Sequence, residues 1–259
     1  MKGRYPMQST TLTSMDFSSV LTALQTQRPE FVLYQAPSYV STIEKIYYEV
    51  LSDSYAFLLL EGLLEHDEST FLHSVDVGFL SYMMSSIFKT ENSFLFNKGA
   101  FLHDVGKLRI SSNILKKRST LTPQELWIMQ HHTVYGYTLL EEHLGLYVSL
   151  LAMHHHEHPS GFGYPNGLHG NDMKFDYFLL RIIDVFSALT LNRCYRKGIP
   201  ISKALSIILN SFKDSLPSND YIRLYDLLTI LLGGNLKTLP LAFSLIDEYK
   251  ENKLSFTFI

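Results

Sequence analysis

Eleven histidines stand in a chain of 259 residues, and several fall beside carboxylates or glycine-punctuated turns. Residues 155–165 read HHEHPSGFGYP, and residues 103–107 read HDVGK. An imidazole next to a carboxylate is a chelating pair, because nitrogen binds one ion while two carboxylate oxygens can bridge a pair of ions. His103 and Asp104 form such a pair at a predicted helix end. Alone, a His-Asp dipeptide is a weak signal, but the same residue types recur at helix-separated intervals: His73, His132, His155, His156 and Asp184. Asp184 lies inside LLRIIDVFSAL, where a carboxylate is costly unless it is paired or bound to a cation. Adjacent helical residues point in different directions, so His155 and His156 serve one site only if the helix ends there, or else serve two ions.

The elements that must position these groups read as helices, and convincing alternating patterns are nearly absent, so an all-α domain is expected. The first 20 or so residues are rich in Ser and Thr and carry no visible chemistry. Residues 39–64 predict one long helix or two short ones, forming a regulatory appendage or a dimer contact. Further helices are expected over 67–89, up to Gly106 as a left-handed terminator, and from the Thr122-Pro123-Gln124-Glu125 capping box to about His143. A shorter helix over 146–157 breaks at Pro159, and 160–171 is a loop. Helices follow over 175–191, after Pro200, and over 221–232.

Composition bounds the function. With 46% hydrophobic residues, the chain can bury one large core, with or without a small appendage. The N-terminal MKGRYPMQSTTLTSM has no apolar segment of signal-peptide length and no later run reaches membrane-spanning length, which predicts a cytoplasmic protein. Cys194 is the single cysteine and indicates neither an internal disulfide nor redox chemistry. A net charge of −3 offers no general attraction for a nucleic acid polymer or anionic lipid, so a phosphate-bearing ligand needs local cations. Nitrogen and carboxylate donors without a thiolate favour iron, manganese or a similar ion.

Taken together, HSVDV at 73–77, HDVGK, LTPQELWIMQHHTVYG, HHEHPSGFGYPNGLHG and DVFSALTLNRCYRK resemble the HD-GYP domain, a branch of the HD phosphohydrolase superfamily. The resemblance covers about 69–215. It implies an HD-domain helical bundle over 67–259, carrying the C-terminal helices, with an N-terminal helical extension over 1–66. It also implies a bacterial phosphodiesterase that hydrolyses cyclic di-GMP to pGpG and often GMP, through a metal-bridging hydroxide. The implied ligands of two divalent ions, iron or manganese, are His73, His103, Asp104, His132, His155, His156 and Asp184, with Asp104 bridging. Lys107 and Tyr164 are implied as phosphate contacts, Arg193 and Arg196 as an anion clamp, and Gly161 and Gly163 as openings for close backbone approach. A homodimer or signalling protein partners belong to the same expectation.

Some positions depart from the family pattern. Ser69 stands where some members carry a third-metal glutamate, and Ser160, His158 and Ser187 replace a usual Asp, Arg and Asp. Two metals are therefore expected rather than three. A domain that binds nucleotide without turnover, or a hydrolase for another nucleotide, is the competing reading. His66, His143 and His169 read as solvated histidines, His131 and His154 as packing neighbours, Glu157 as a hydrogen-bonding residue near the site, and Trp127 as core.

Overall fold

In the computed structural model, the described residues are 12, 14–192, 196–214, 218–234, 240 and 244. Helix α1 (Phe17–Gln27) opens on Asp16, whose carboxylate accepts the Ser19 N–H. The stretch expected as one or two helices is two, α2 (Pro37–Leu51) and α3 (Ser54–His66). Asp53 separates them, because its carboxylate accepts the Tyr55 and Ala56 N–H groups and starts a new helix.

Helix α4 (Glu68–Ile87) starts on Asp67, which accepts the Thr70 N–H at 2.9 Å. It is buried on nearly every side beyond its first turn, including Thr70, His73 and Asp76. A helix without a polar face belongs in the middle of a domain, and α4 packs against α1, α2, α3, α5 and α9 once all are placed. Helix α5 (Ser93–Leu102) stops at His103, followed by a 3₁₀ turn over Val105–Arg109. Gly106 is thus not the left-handed terminator expected. A Cβ there would overlap the His132 carbonyl, so glycine lets the turn press onto the next long helix.

After the short α6 (Ser112–Leu115), α7 (Pro123–Gln130) carries the capping box: Thr122 N–H donates to Glu125 and Glu125 N–H to the Thr122 hydroxyl. The expected run to His143 is interrupted, because His131 closes α7 and α8 (His132–His154) begins. Gly145, at φ +82°, breaks α8 where the sequence placed the gap between two helices. Helices α9 (Phe175–Thr190), α10 (Ile201–Phe212, opened by Pro200) and α11 (Ser218–Leu231) follow. Among the described residues there is no strand, and Ser160 pairs with His169 through an isolated antiparallel bridge.

One hydrophobic cluster runs from Phe17 to Leu232 and holds the N-terminal helices and the later ones alike. Tyr47 of α2 packs on Phe79 of α4 and Phe101 of α5, with ring centroids 5.8 and 6.2 Å apart. Each such aromatic buries enough apolar surface to contribute about 1.5–3 kcal/mol. Trp127 is outside this core, at 59% exposure beside His131. No helix among the described residues is long and apolar enough to cross a membrane.

Candidate metal centre

Five segments bring the seven implied ligands together. His73 comes from the first half of α4, His103 and Asp104 from the end of α5, His132 from the start of α8, His155 and His156 from just beyond its end, and Asp184 from α9. All but His156 are buried. Three groups have donor atoms within 4.8 Å of one another: His132 with His155 and His156, His73 with His103 and Asp184, and His103 with Asp104 and His155. Because α8 ends at His154, His155 and His156 leave the helical register and both reach the same cluster.

Asp104 stands between two sets of imidazoles. Its Oδ2 lies 3.7 Å from His73 Nε2 and 3.5 Å from His103 Nε2, while its Oδ1 lies 3.4 Å from His132 Nε2 and 3.8 Å from His155 Nε2. Asp184 also spans the site, with Oδ1 at 2.9 Å from His73 Nε2 and Oδ2 at 3.7 Å from His156 Nδ1. Metal-to-donor bonds of about 2.1 Å put neighbouring donors about 3–3.5 Å apart, close to these separations.

Local hydrogen bonds fix most of the imidazoles. The Nδ1–H groups of His103, His132 and His155 donate to the carbonyls of Ala100, Met129 and Ala152, three residues earlier, at 2.7–2.8 Å. A carbonyl can only accept, so each ring carries its proton on Nδ1 and presents a bare Nε2 lone pair to the cluster. The Nε2 atoms of His132 and His155 then face each other at 3.2 Å, two lone pairs with no proton between them. His103 Nε2 and Asp104 Oδ1 are buried without a hydrogen-bond partner. Facing lone pairs and orphaned buried acceptors repel one another unless a cation sits among them, so the residues fit metal ions.

The charge states agree with that fit. Burial pushes the His132 imidazole down from 6.5 to about 4, and holds His155 and His156 well below the usual range, leaving neutral nitrogen donors. Burial opposes ionisation of Asp104, but Lys107 and the histidines outweigh it and keep the carboxyl well below the ordinary range. For Asp184 the same burial is outweighed by the His73 hydrogen bond and by His156.

A cavity of about 480 Å³ opens onto the cluster, with Lys107, His132, His156 and Tyr164 in its wall. That volume is within the usual range for small-ligand sites. Lys107 Nζ lies 2.5 Å from Asp104 Oδ2, and the Tyr164 ring stacks on His156 with centroids 4.7 Å apart. Burial pushes the Tyr164 hydroxyl up, so it stays a hydrogen-bond donor.

Other expected contacts resolve differently. Gly161 and Gly163 do not line the cavity: Gly161, at φ +79°, and Gly163, whose Cβ would overlap the Glu157 backbone, let the turn fold on itself. Arg196 is not free to clamp an anion, because its guanidinium donates to the adjacent Lys197 carbonyl and to the carbonyls of Ala188 and Leu189 at the end of α9. Those are the carbonyls a helix end leaves unpaired, and a cation there is favourable. Arg193 lies outside the described residues.

Four residues gain roles that the sequence left open or did not single out. Glu157 is buried and accepts the Asn166 and Leu168 N–H groups, anchoring the glycine turn. Ser187, one of the departures, places its hydroxyl 2.9 Å from His73 Nδ1. His66 reaches the Ile110 carbonyl at 3.0 Å. Arg181 on α9 donates to the His156 carbonyl at 2.9 Å, a position that its spacing of three from Asp184 on one helix face could have signalled.

A helical bundle that gathers five histidines and two aspartates in one cluster has the donor set of a His/Asp metal-binding site. Residues 63–215, more than half of the chain, match the HD domain family, and the chain belongs to it; its HDVGK and GFGYP motifs resemble the HD-GYP branch. It is similar to a "Cyclic di-GMP phosphodiesterase" of Thermotoga maritima, 33% identical over 179 residues, 65% of this chain and 46% of that protein. It is also similar to "3'3'-cGAMP-specific phosphodiesterase 3" of Vibrio cholerae, 33% identical over 136 residues, 52% of this chain and 29% of that protein. The chain thus spans less than half the length of these curated relatives. An HDG"Y"P protein from Bdellovibrio bacteriovorus shares the fold, with a TM-score of 0.51 at 20% identity over 84% of this chain and 74% of that one.

Proposed function

We propose that this protein is a metal-dependent phosphodiesterase that hydrolyses cyclic di-GMP to linear pGpG and, by a second cut, to GMP. The observation that carries the reading is Asp104, with one oxygen facing His73 and His103 and the other facing His132 and His155. That geometry fits a carboxylate shared by two cations. His73, His103 and Asp184 would hold one ion, and His132, His155 and His156 the other. Two divalent ions, iron or manganese, supply a solvent nucleophile at neutral pH and neutralise charge on the phosphodiester.

The chain's own groups bind and orient the substrate. Lys107, on the cavity wall beside Asp104, offers a cation to a phosphate oxygen. Tyr164 is held in place by its stack on His156 and donates its hydroxyl proton to another oxygen. Arg181 holds the His156 backbone. Hydrolysis would add one water across a phosphorus–O3′ bond, its oxygen going to phosphorus and a proton to the released ribose 3′ hydroxyl. In this reading, residues 1–66 are an extension to the 67–259 domain and the protein works in the cytoplasm, alone, as a homodimer or with signalling partners.

A similar protein named for 3′3′-cGAMP makes that dinucleotide the second reading for the substrate. The test loads the purified protein anaerobically with Fe(II) or Mn(II) and follows both dinucleotides by chromatography, with Asp104→Ala as control. Cleavage of cyclic di-GMP lost in the control supports the proposal. Faster cleavage of 3′3′-cGAMP moves the substrate assignment, and tight nucleotide binding without products replaces the enzyme with a binding module.

A further inference from the structure

Arg28 is a buried cation outside the metal centre. It caps the end of α1, and its side chain has no exposed surface. One arm of the guanidinium meets Asp76 Oδ1 on α4 at 2.5 Å, and the other donates to the Thr190 hydroxyl on α9 at 2.8 Å. Tyr34 donates to the same Asp76 oxygen, and the guanidinium lies over the Phe31 ring, 4.2 Å from its centroid. Burying an isolated guanidinium is costly, so a planar fork fixed on two helices at once holds them at a set separation.

Those two helices carry His73 and Asp184, two of the three donors in one group of the centre. Asp76 lies three residues after His73 on α4, one helical turn along the same face. Thr190 lies three residues after Ser187 on α9, and Ser187 reaches His73 Nδ1. Helices α4 and α9 are therefore joined twice in succession: by His73 to Asp184 and Ser187, and one turn further by Asp76 through Arg28 to Thr190.

We propose that Arg28 is a positioning residue for the metal centre, supplied by the N-terminal segment, which sets α4 against α9 and so aims His73 at Asp184. This rests on the two-metal reading above. The ion held by His73, His103 and Asp184 depends on the crosslink. The ion held by His132, His155 and His156 does not, because those rings sit on other segments and two of them are aimed by their own backbone carbonyls.

The experiment is Mn(II) binding to the full chain, with stoichiometry from elemental analysis and coupling between ions from electron paramagnetic resonance. Thr190→Val keeps the shape of the residue and cuts the α9 arm together with the hydroxyl's own bond to the Phe186 carbonyl, and Arg28→Lys keeps the charge but not the fork. Leu24→Ala, a buried α1 residue outside the network, serves as a control for general loss of stability. Supports to metal ligands are worth about 10–100-fold in affinity. One of two Mn(II) ions should therefore bind about tenfold more weakly or worse in both variants, losing the coupled signal, while the other stays within about twofold. The control should leave both ions in place at an equal drop in melting temperature.

Folded Thr190→Val protein with both ions unchanged overturns the inference, as does equal weakening of both ions or the same pattern in Leu24→Ala. Wild-type protein that binds fewer than two ions sinks the functional reading itself, and this inference with it. Unchanged variants beside a two-metal wild type sink only the inference.

Discussion

The two halves of the metal centre are aimed by different kinds of bond. His132 and His155 are held by carbonyls three residues away in their own chain, and His132 faces a solvent cavity together with His156. His73 is held by Ser187 and Asp184, 114 and 111 residues distant, deep in the core. Local aiming survives a shift of a whole helix, whereas aiming across helices depends on how α4 and α9 pack. The first half is aimed locally and opens to the cavity; in the second, His103 is also aimed locally, by the Ala100 carbonyl, while the pairing of His73 with Asp184 depends on tertiary structure. Asp104 touches both.

The largest effect should come from removing what the halves share. Asp104→Ala should abolish tight binding of both ions and lower turnover of cyclic di-GMP by about 10³-fold or more, beyond the usual loss of one preorganised stabilising group. Metal content and product chromatography on the same sample check it. Retention of both ions would mean that the halves do not share a carboxylate, and the comparison would fail at its centre.

Titration of metal-free protein separates the halves next. Burial lowers the His132 pKa from 6.5 to about 4, so between those values the unfolded chain carries a proton that the folded one refuses. Stability should be complete above about pH 6.5 and fall as acid is added towards pH 4, by up to about 3 kcal/mol from this residue. Denaturant unfolding across that window measures it, and His132→Gln should flatten the curve. Saturating metal should raise stability but keep or steepen the fall, since bound ions hold the folded rings neutral while the unfolded chain still takes up protons.

A smaller effect probes the core half alone. Ser187→Ala removes the hydroxyl that meets His73 Nδ1 and should weaken one ion by about 10–100-fold with little change in the other. Isothermal titration with Mn(II) resolves the two. If both ions weaken together, the halves are mechanically one unit and the distinction between local and distant aiming has no consequence.

The same distinction explains what could be read without coordinates. The Thr122 capping box, the Pro200 start and α9 follow from adjacent residues, and the structure has them where local rules put them. All seven implied ligands meet, because residue type and motif spacing carry that information. Gly106 was read as a helix terminator because its use, contact with the His132 carbonyl, involves a partner 26 residues away. Arg196 looked like a free cation because the carbonyls it binds are backbone atoms, which sequence does not distinguish. Arg28 gave no signal, and Ser187 stood out as a departure from a family pattern without its contact being legible, because their partners are 162 and 114 residues distant.

The smallest expected effect concerns Trp127, which aromatic content assigned to the core and the structure leaves 59% exposed on α7. Helix α7 has no buried residues, so its one hydrophobic ring rests on the neighbouring His131 rather than on the cluster beneath α4. A large core aromatic replaced by alanine costs about 3–5 kcal/mol, whereas an exposed one away from special features changes stability by about 0.5 kcal/mol or less. Trp127→Ala should therefore leave the denaturation midpoint nearly unchanged, and Mn(II) binding by His132, five residues on, should persist because the Met129 carbonyl still aims that ring. A loss of several kcal/mol would show that α7 is packed into the core. A loss of metal without a loss of stability would show that the accessible half is aimed from its surface as well as from its own backbone.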